Sequence, residues 1–333
     1  MEKLFLTDKE LSQFGNIDNL SQEAESLLNH QKANWELLKN NFESLSNTKS
    51  KSFEFNNSLI KVQFNPTRIT STSAKVDKKS IEKRKCFLCL ENLPNEQKGI
   101  KFKKDFIILC NPYPIFNQHL TVAYKNHIPQ SIESNFQNML ELSYDLREKF
   151  FVFYNGPKCG ASAPDHLHFQ AGLKDEIPIY TNYINSTIKN DNLIYNKKEV
   201  KISFIKSEIQ KFVLFESKNK IELEKIILKT LEAAKKILST NEEPLINILS
   251  FYVNDFFNVV VFLREKHRPE QYYEGGERQL LISPASVDLG GLVIAPREED
   301  FNKITIQDIV NIFGQVLLDS NKTERILRSC LDN

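Results

Sequence analysis

Three polar side chains that could carry out chemistry stand at every second position in the segment NGPKCGASAPDHLHFQAG, residues 155–172. They are His166, His168 and Gln170, and the apolar Leu167 and Phe169 alternate with them. On a strand, this period of two packs the apolar residues into a core and turns the imidazoles and the amide toward the opposite face. The preceding loop, rich in small residues, can present backbone N–H groups to an anion. The pattern predicts attack on a phosphate by a histidine.

His168, in the middle of the triplet, is the candidate nucleophile. A neutral imidazole can attack phosphorus, and the resulting N–P bond is labile enough for a second acceptor to break it. We expect the other ring nitrogen of His168 to donate to a backbone carbonyl, which would fix the tautomer. Gln170 can donate to one phosphate oxygen, and Ser162 with the N–H groups of 160–163 can hold the others. Asn155 and Gly160, in the same loop, are further candidates for substrate binding.

The amide at position 170 also bears on the fate of the intermediate. A histidine there could pass a proton to the leaving oxygen or activate water, whereas glutamine has no titrating proton to offer. The sequence therefore favours transfer to phosphate or a sugar phosphate over hydrolysis.

A second chemical signal is the CFLC motif, in which Cys86 and Cys89 have a metal or redox spacing. Such a pair can place two thiolates on one ion, with histidines completing a tetrahedron. Two simply buried cysteines are the alternative, because the residues between them are apolar. A redox pair is less favoured, because no thioredoxin-like strand precedes the motif.

Basic residues must neutralise a polyphosphate, and several stand near these motifs. The ordinary interpretation of any one of them is solvated surface charge. The last three candidates follow a strongly apolar stretch in FLREKHRP, which suits a phosphate or sugar site. The candidates are Arg68, Lys158, Arg264, His267 and Arg268.

Composition excludes several other classes of protein. The chain has 333 residues, 41% of them apolar, and a net charge of +1, which removes the usual electrostatic case for nucleic acid as a partner. No apolar run approaches the ~20 residues of a membrane span, and acids interrupt the N-terminal stretch where a signal peptide would be apolar. Five cysteines, an odd number, argue against a disulfide framework. We expect a cytoplasmic protein without membrane or nucleic-acid partners.

The elements that must position these residues form two similar series. Helical periodicity covers 7–46, and each later half is predicted to contain strands, a long amphipathic helix and further strands. In the first half we predict strands at 58–64, 106–110, 119–124 and 150–154, a helix at 131–149, and then the histidine strand. In the second half we predict strands at 201–205, 211–217, 256–265, 279–283 and 290–298, a helix at 219–239 and one closing helix at 304–327.

This order predicts a duplicated α+β unit whose second copy lacks the H-x-H-x-Q strand. The expected division is a helical segment at 1–50, a half with the histidine strand and metal motif at 51–185, and a degenerate half at 186–333.

These motifs resemble the two-domain branch of the histidine-triad superfamily. That branch holds the galactose-1-phosphate uridylyltransferases, diadenosine tetraphosphate phosphorylases and GDP-hexose phosphorylases. GPKCGASAPDHLHFQ is similar to the phosphorylases' G-P-x-x-G-x-S-x-x-D-H-x-H-x-Q, and SPASVDLGGLVIA at 283–295 resembles the second half of the GDP-hexose phosphorylases. CFLC and YKNHIPQ, around His127, resemble the uridylyltransferases, although Leu167 stands where those enzymes usually have proline.

The resemblance implies a duplicated histidine-triad-like fold with antiparallel sheets and flanking helices. It also implies a structural zinc ion on Cys86, Cys89, His127 and His166, with His119 as a competitor for the place of His127. Arg68 resembles by position an arginine of the uridylyltransferases.

The implied activity is nucleotidyl transfer. The donor would be a nucleoside diphosphate sugar or a dinucleoside polyphosphate, and the acceptor phosphate or a sugar 1-phosphate; base and sugar stay open. A nucleotide-binding regulatory module and a histidine-triad hydrolase are the alternatives. Members of the family often dimerise, so a homodimer is implied as well.

Overall fold

The computed structural model describes residues 4–55, 58–73, 77–184, 192–197 and 199–332. Its centre is a ten-stranded antiparallel sheet with helices packed on it, an α+β fold as predicted. The strands of this sheet are β3 (Gly99–Phe102), β4 (Phe106–Cys110), β5 (His119–Tyr124), β6 (Phe150–Asn155), β7 (His168–Leu173), β8 (Leu193–Lys197), β9 (Val200–Lys206), β10 (Lys211–Ser217), β11 (Ile246–Val253) and β12 (Phe256–Leu263).

The predicted duplication is visible in the order of these strands. Across the sheet they run β3-β4-β5-β7-β6 and then β11-β12-β10-β9-β8, so the second half repeats the first in reverse about the seam between β6 and β11. In each half one long helix stands between the third and fourth strands: α6 (Phe136–Asp145) in the first and α7 (Lys220–Ile237) in the second. By this correspondence β12 is the counterpart of β7, and its sequence FFNVVVFL carries no histidine.

A second, three-stranded sheet joins distant parts of the chain. It contains β1 (Lys49–Phe55), β2 (Ser58–Phe64) and β13 (Leu292–Ala295), in that order. The pairing of β2 with β13 is parallel, and it brings the N-terminal part of the chain onto the second half.

The large sheet is covered on both faces, which explains why strands such as β6 read as continuous apolar runs. One face packs against the N-terminal helices, α6, α7 and the last helix. The other packs against the small sheet and the helices of the C-terminal region. The remaining helices are α1 (Asp8–Leu11), α2 (Leu20–Asn34), α3 (Glu36–Leu45), α4 (Ile69–Thr72), α5 (Lys78–Lys83), α8 (Ser286–Leu289), α9 (Glu298–Lys303), α10 (Ile306–Val316) and α11 (Ser320–Leu331).

Several elements differ from the prediction. The strands β1, β3, β8 and β11 were not predicted, and the apolar stretch 279–283 forms no strand, because Leu281 donates its N–H to the Asp300 carboxylate (3.2 Å) instead of to a neighbouring strand. The predicted closing helix is two helices, α10 and α11. The Asp319 side chain accepts from the N–H of Lys322 (2.9 Å) and so begins a new helix there.

None of the helices in the described ranges is long and apolar enough to cross a membrane. All five cysteines are free and buried.

Candidate active site and metal centre

The histidine strand has the two faces that its alternation predicts, but β7 begins at His168, so His166 lies just before the strand and not on it. Leu167 and Phe169 pack into the core on the helix side of the large sheet. β7 pairs with β5, so that His168 lies opposite Ala123 and Gln170 lies opposite Thr121. His168 and Gln170 therefore share the other face. Gln170 lines a pocket there, whereas His168 is buried and is not among the residues that line it.

His168 has a tautomer fixed by the backbone. Its Nδ1 lies 2.8 Å from the carbonyl oxygen of His166, a group that only accepts, so Nδ1 carries the proton. The donation to a backbone carbonyl agrees with the prediction. It leaves Nε2 as the ring nitrogen with a free lone pair.

Burial also keeps the His168 imidazole neutral. Only 5% of the residue is exposed, and desolvation lowers its pKa to about 4, more than the hydrogen bond to the His166 carbonyl raises it. A neutral imidazole retains the nucleophilic lone pair at every pH above this value.

Gln130 holds the backbone of His168 and was not predicted from the sequence. Its Oε1 accepts from the N–H of His168 (2.8 Å), and its Nε2 donates to the carbonyls of His168 (3.1 Å) and Asn155 (2.9 Å). Gln130 is buried and joins the start of β7 to the end of β6. Gln130 ends the motif YKNHIPQ, but the motif does not show that its side chain reaches β7, so the fold reveals this role.

The orientation of the Gln170 amide is set by two donors. His119 Nδ1 accepts from the N–H of Ile115 (3.1 Å), so His119 Nε2 carries the proton and donates to Gln170 Oε1 (3.1 Å). Asn111 donates to the same oxygen at 3.4 Å. The NH₂ group of Gln170 is thereby left for the pocket, as a phosphate site requires. Burial and the charge of Arg68 lower the pKa of His119 to about 3, so it too is neutral.

The loop before the histidine strand requires glycine at position 160. Gly160 has a φ of +95°, and a Cβ added there would stand 2.7 Å from the Cβ of Ala285. Within the described residues, the N–H groups of 160–163 make no backbone hydrogen bond. They remain available to an anion.

Asn155 is oriented by residues of the second half. Its Oδ1 accepts from Asn247 Nδ2 (2.7 Å) and from the N–H of Ser286 (3.0 Å). The opposite end of the Asn155 amide, its NH₂ group, is left to donate toward the pocket. Asn247 lies on β11 directly opposite Asn155, across the seam of the two halves.

Gln170, Asn155, Gly160 and Ser162 line one polar pocket together with residues of the second half. Its lining includes most of the predicted substrate-binding residues and a buried carboxylate, Asp288. Burial raises the pKa of Asp288 to about 6, although backbone N–H groups of Ile294 and Ala285 donate to it. The lining residues are Arg68, Thr72, Ile115, Phe153, Asn155, Gly160, Ala161, Ser162, Gln170, His267, Arg268, Ser283, Ala285, Val287, Asp288 and Ile294.

Two of the predicted basic residues lie outside this lining. Lys158 is exposed and pairs with Glu242 on the surface. Arg264 is 1% exposed, and its guanidinium donates to Asn247 Oδ1 (2.7 Å) and to the carbonyls of Pro284 (2.7 Å) and His267 (2.5 Å). Arg264 thus supports the pocket wall from behind.

The predicted zinc ligands form a compact cluster. The side-chain ligand atoms of Cys86, Cys89, His127 and His166 all lie within 4.8 Å of one another. Cys86 Sγ is 3.4 Å and Cys89 Sγ 3.7 Å from His166 Nδ1, and Cys89 Sγ is 3.1 Å from His127 Nδ1. His119 lies outside the cluster, because both of its ring nitrogens are engaged with Ile115 and Gln170.

The donor set fits a tetrahedral zinc ion. Zn–S bonds of ~2.3 Å and Zn–N bonds of ~2.0–2.1 Å give ligand separations of roughly 3.3–3.8 Å, close to those found here. Burial, with a further contribution from the neighbouring Cys86, raises the pKa of Cys89 to about 12, so two thiolates need a cation beside them.

Groups around the cluster orient both histidines for ligation through Nδ1. His166 Nε2 lies 2.7 Å from the carbonyl of Tyr124 and must donate to it, which leaves Nδ1 free. His127 Nε2 is 3.6 Å from Asp165, whose carboxylate accepts from Arg84 (2.6 Å). Such second partners are typical of metal-ligating histidines.

Two family models match the chain and together span most of it. Residues 27–173 match the domain of unknown function DUF4922, and residues 185–333 match the GDPGP1-like C-terminal domain. The first match contains the histidine strand and the cysteine pair, and the second contains β12, the strand without a histidine.

The chain is also similar to one curated protein. The chain is 24% identical over 261 residues to galactose-1-phosphate uridylyltransferase 1 of Streptococcus pneumoniae serotype 4 (strain ATCC BAA-334 / TIGR4), a match covering 71% of this chain and 51% of that protein. The chain therefore spans about half the length of this curated relative.

Two solved structures share the fold. Yeast Ap4A phosphorylase Apa2 superposes with a TM-score of 0.53 at 14% identity, over 87% of this chain and 97% of that one. Its complex with Ap4A gives 0.51 at 14% identity, over 84% and 94%.

Proposed function

We propose that this chain is a nucleotidyltransferase of the two-domain branch of the histidine-triad superfamily, acting by double displacement at His168. The observation that carries the proposal is the state of this residue. His168 is neutral, its Nδ1 proton is committed to the His166 carbonyl, and its Nε2 lone pair is free, two residues from an amide whose donors face the pocket.

In the first displacement, His168 Nε2 attacks the α-phosphorus of a nucleoside diphosphate sugar or dinucleoside polyphosphate. An N–P bond forms and the bond from phosphorus to the bridging oxygen breaks, so that a phosphorylated product leaves with the bonding electron pair. The Nδ1 proton stays on the ring, held by the His166 carbonyl, and this stabilises the positive charge that the imidazole acquires. The leaving phosphate is already a stable anion, so no proton donor is needed.

In the second displacement, an oxygen of phosphate or of a sugar 1-phosphate attacks the same phosphorus and the N–P bond breaks. Throughout, the Gln170 and Asn155 amides, Ser162 and the N–H groups of the loop at Gly160 stabilise the non-bridging oxygens. Gln170 cannot activate water, which supports transfer over hydrolysis.

We also propose that Cys86, Cys89, His127 and His166 hold one structural zinc ion. Four protein ligands leave no position for water, so the ion would supply only a tie between the CFLC loop and the start of the catalytic strand. The carbonyl of His166 accepts the hydrogen bond from Nδ1–H of His168. By holding His166, the ion would keep this carbonyl in position. Cytoplasmic location and a homodimer stay predictions.

The test is to trap the intermediate with labelled GDP-hexose, UDP-hexose and Ap4A. We expect an acid-labile, base-stable adduct with at least one of them, absent in His168→Ala, whose activity should fall at least about a thousandfold. His30→Gln, a histidine outside the site, is the matched control.

Other outcomes would overturn the proposal. Full activity in His168→Ala, or no adduct with any donor, contradicts the mechanism. Tight nucleotide binding without turnover would indicate a regulatory module, and undiminished turnover without phosphate would indicate a hydrolase.

A further inference from the structure

Arg264, directly after β12, carries a buried charge that no acidic side chain pairs with among the described residues. The residue is 1% exposed. Its guanidinium donates to four uncharged oxygens: Asn247 Oδ1 (2.7 Å) and the carbonyls of Pro284 (2.7 Å), His267 (2.5 Å) and Lys266 (3.3 Å). A charged group is rarely buried without an opposite charge beside it, because its transfer out of water is costly. The charge of Arg264 therefore calls for a partner from outside the chain.

Two neighbouring groups do not supply that partner. Cys159 stays a neutral thiol near pH 7, since burial raises its pKa to about 11. Asp288 raises the pKa of Arg264 against the larger lowering by burial, but it forms no ion pair with Arg264, and Arg68 acts on the same carboxylate. Asp288 is the one acidic side chain among the described residues that line the pocket, where Arg68 and Arg268 also lie. Guanidinium groups thus outnumber carboxylates there, which favours an anionic ligand.

Arg264 also fixes the direction of the Asn247 amide. A guanidinium only donates, so Asn247 Oδ1 must face Arg264, and the NH₂ group of Asn247 turns to the first half of the chain. This NH₂ group donates to Asn155 Oδ1 (2.7 Å) and to the carbonyl of Cys159 (2.8 Å). One buried cation thus sets two contacts across the seam of the two halves.

Each of these contacts orients a donor that lines the pocket. Because Asn155 Oδ1 accepts from Asn247, the NH₂ group of Asn155 is left for a ligand. The peptide bond between Cys159 and Gly160 is trans and planar, so the Gly160 N–H points away from the carbonyl that Asn247 holds. Asn155 and Gly160 both line the pocket, whereas Arg264 does not. The orientation of two proposed phosphate donors thus depends on Arg264.

We propose that Arg264 is a positioning residue whose counter-ion is the anionic substrate. It supplies fixed positive charge from behind the pocket wall and, through Asn247, aims the Asn155 amide and the Gly160 N–H at the phosphoryl group. This inference rests on the proposed nucleotidyl transfer, which brings a nucleoside diphosphate group into the pocket.

The experiment measures nucleotide binding by calorimetry in the full chain with His168→Ala, which prevents turnover. The probes are ADP, GDP and UDP, each compared with its monophosphate. Arg264→Gln should weaken binding of the diphosphate at least tenfold and of its monophosphate by less, because the lost attraction scales with the charge of the ligand. Arg264→Lys should lose less, since lysine keeps the charge and also only donates. Arg278→Gln, an exposed arginine outside the pocket, is the matched control and should bind as the parent does.

Asn247→Asp supplies a second, independent test. It places a carboxylate where Asn247 Oδ1 meets Arg264, so that the charge becomes balanced within the chain. Diphosphate binding should again weaken at least tenfold, and more than monophosphate binding. This variant decides the inference if thermal unfolding shows that Arg264→Gln is not folded.

The possible outcomes distinguish this inference from the proposed transfer reaction. If the His168→Ala parent binds none of the nucleotides, the transfer reaction fails and the role of Arg264 with it. If the parent binds a diphosphate and Arg264→Gln and Asn247→Asp bind it equally well, Arg264 has no such role, although the transfer reaction stands. Equal losses for monophosphate and diphosphate would mean that Arg264 only supports the pocket wall, and would also overturn the inference.

Discussion

The division of roles within H-L-H-F-Q is set by the second hydrogen-bonding atom of each side chain. His166 gives Nε2 to a carbonyl and Nδ1 to the thiols, while His168 gives Nδ1 to a carbonyl and keeps Nε2 free. Two histidines separated by one residue thus present different ring nitrogens. His166 presents Nδ1 to the cysteine cluster, and His168 presents Nε2, the proposed nucleophile. The sequence predicted that His168 donates to a backbone carbonyl, but spacing alone could not say which ring nitrogen of either histidine does so.

At the same scale, His119 is a positioning residue for Gln170. His119→Phe keeps the ring among Phe116 and Phe153 but removes the Nε2 donor, so that the Gln170 amide can turn its oxygen toward phosphate. We expect kcat to fall about tenfold, less than the roughly hundredfold or greater loss for removal of one transition-state donor, because the Gln170 amide is misplaced but still present. Steady-state kinetics checks this fall.

A double variant tests whether His119 acts through Gln170. If His119 acts through Gln170, the double variant His119→Phe, Gln170→Ala should be no slower than Gln170→Ala alone. Equal further losses in both backgrounds would show that His119 contributes in another way.

At the scale of elements, the histidine strand and the glycine loop could be predicted because their signals are local. Period two defines the faces of β7, and glycine in the approach supplies the φ of +95°. Gln130, Asn247 and Asp288 were not predicted, since each reaches the site from another segment of the chain. Gln130 and Asp288 stand in motifs that the sequence analysis names, YKNHIPQ and SPASVDLGGLVIA, but the motifs alone do not show what these side chains contact. The missed strand β11 carries Asn247, so the error at the level of elements hid a residue of the site.

The proposed zinc ligands come from three separate segments, which carry the cysteine pair, His127 and His166. We expect a bound zinc ion to hold these segments together. Cys86→Ser should reduce bound zinc from about one ion per chain to well below one, measured by elemental analysis. It should also lower the unfolding midpoint by roughly 5 °C or more, since ~3 kcal/mol of metal binding corresponds to about 2 °C per kcal/mol in a large domain. Cys110→Ala, a buried cysteine of the core, is the matched control and should keep its zinc. One zinc per chain in Cys86→Ser would contradict the ligand assignment.

At the scale of the whole molecule, the site lies on the seam where the two halves join. The first half supplies the proposed nucleophile, while Asn247, Ser286 and Ala285 of the second half orient or contact the loop that precedes it. The second half, whose strand β12 carries no histidine, therefore still shapes the pocket.

The same seam holds a buried carboxylate whose protonation should make stability depend on pH. Glu243 precedes β11 and accepts from the N–H of Ile132 (2.8 Å) and from the hydroxyl of Tyr154 on β6 (2.7 Å). Burial raises its pKa from 4.5 to about 7, although these hydrogen bonds oppose the rise. The folded chain therefore holds this proton more tightly than the unfolded chain does.

A raised folded pKa gives stability that is present below pH 4.5 and is lost as pH rises through about 7. Glu243→Gln carries no titrating group, so the free energy of unfolding of the wild type should fall relative to this variant between pH 5 and 8. The expected change is on the order of 2–3 kcal/mol, at ~1.4 kcal/mol per pKa unit. Denaturant unfolding of both proteins at the two pH values measures it, with the exposed neighbour Glu242→Gln as control. A difference that does not change with pH would mean that Glu243 stays ionised at the seam, because only a proton bound unequally by the folded and unfolded chains makes stability vary with pH.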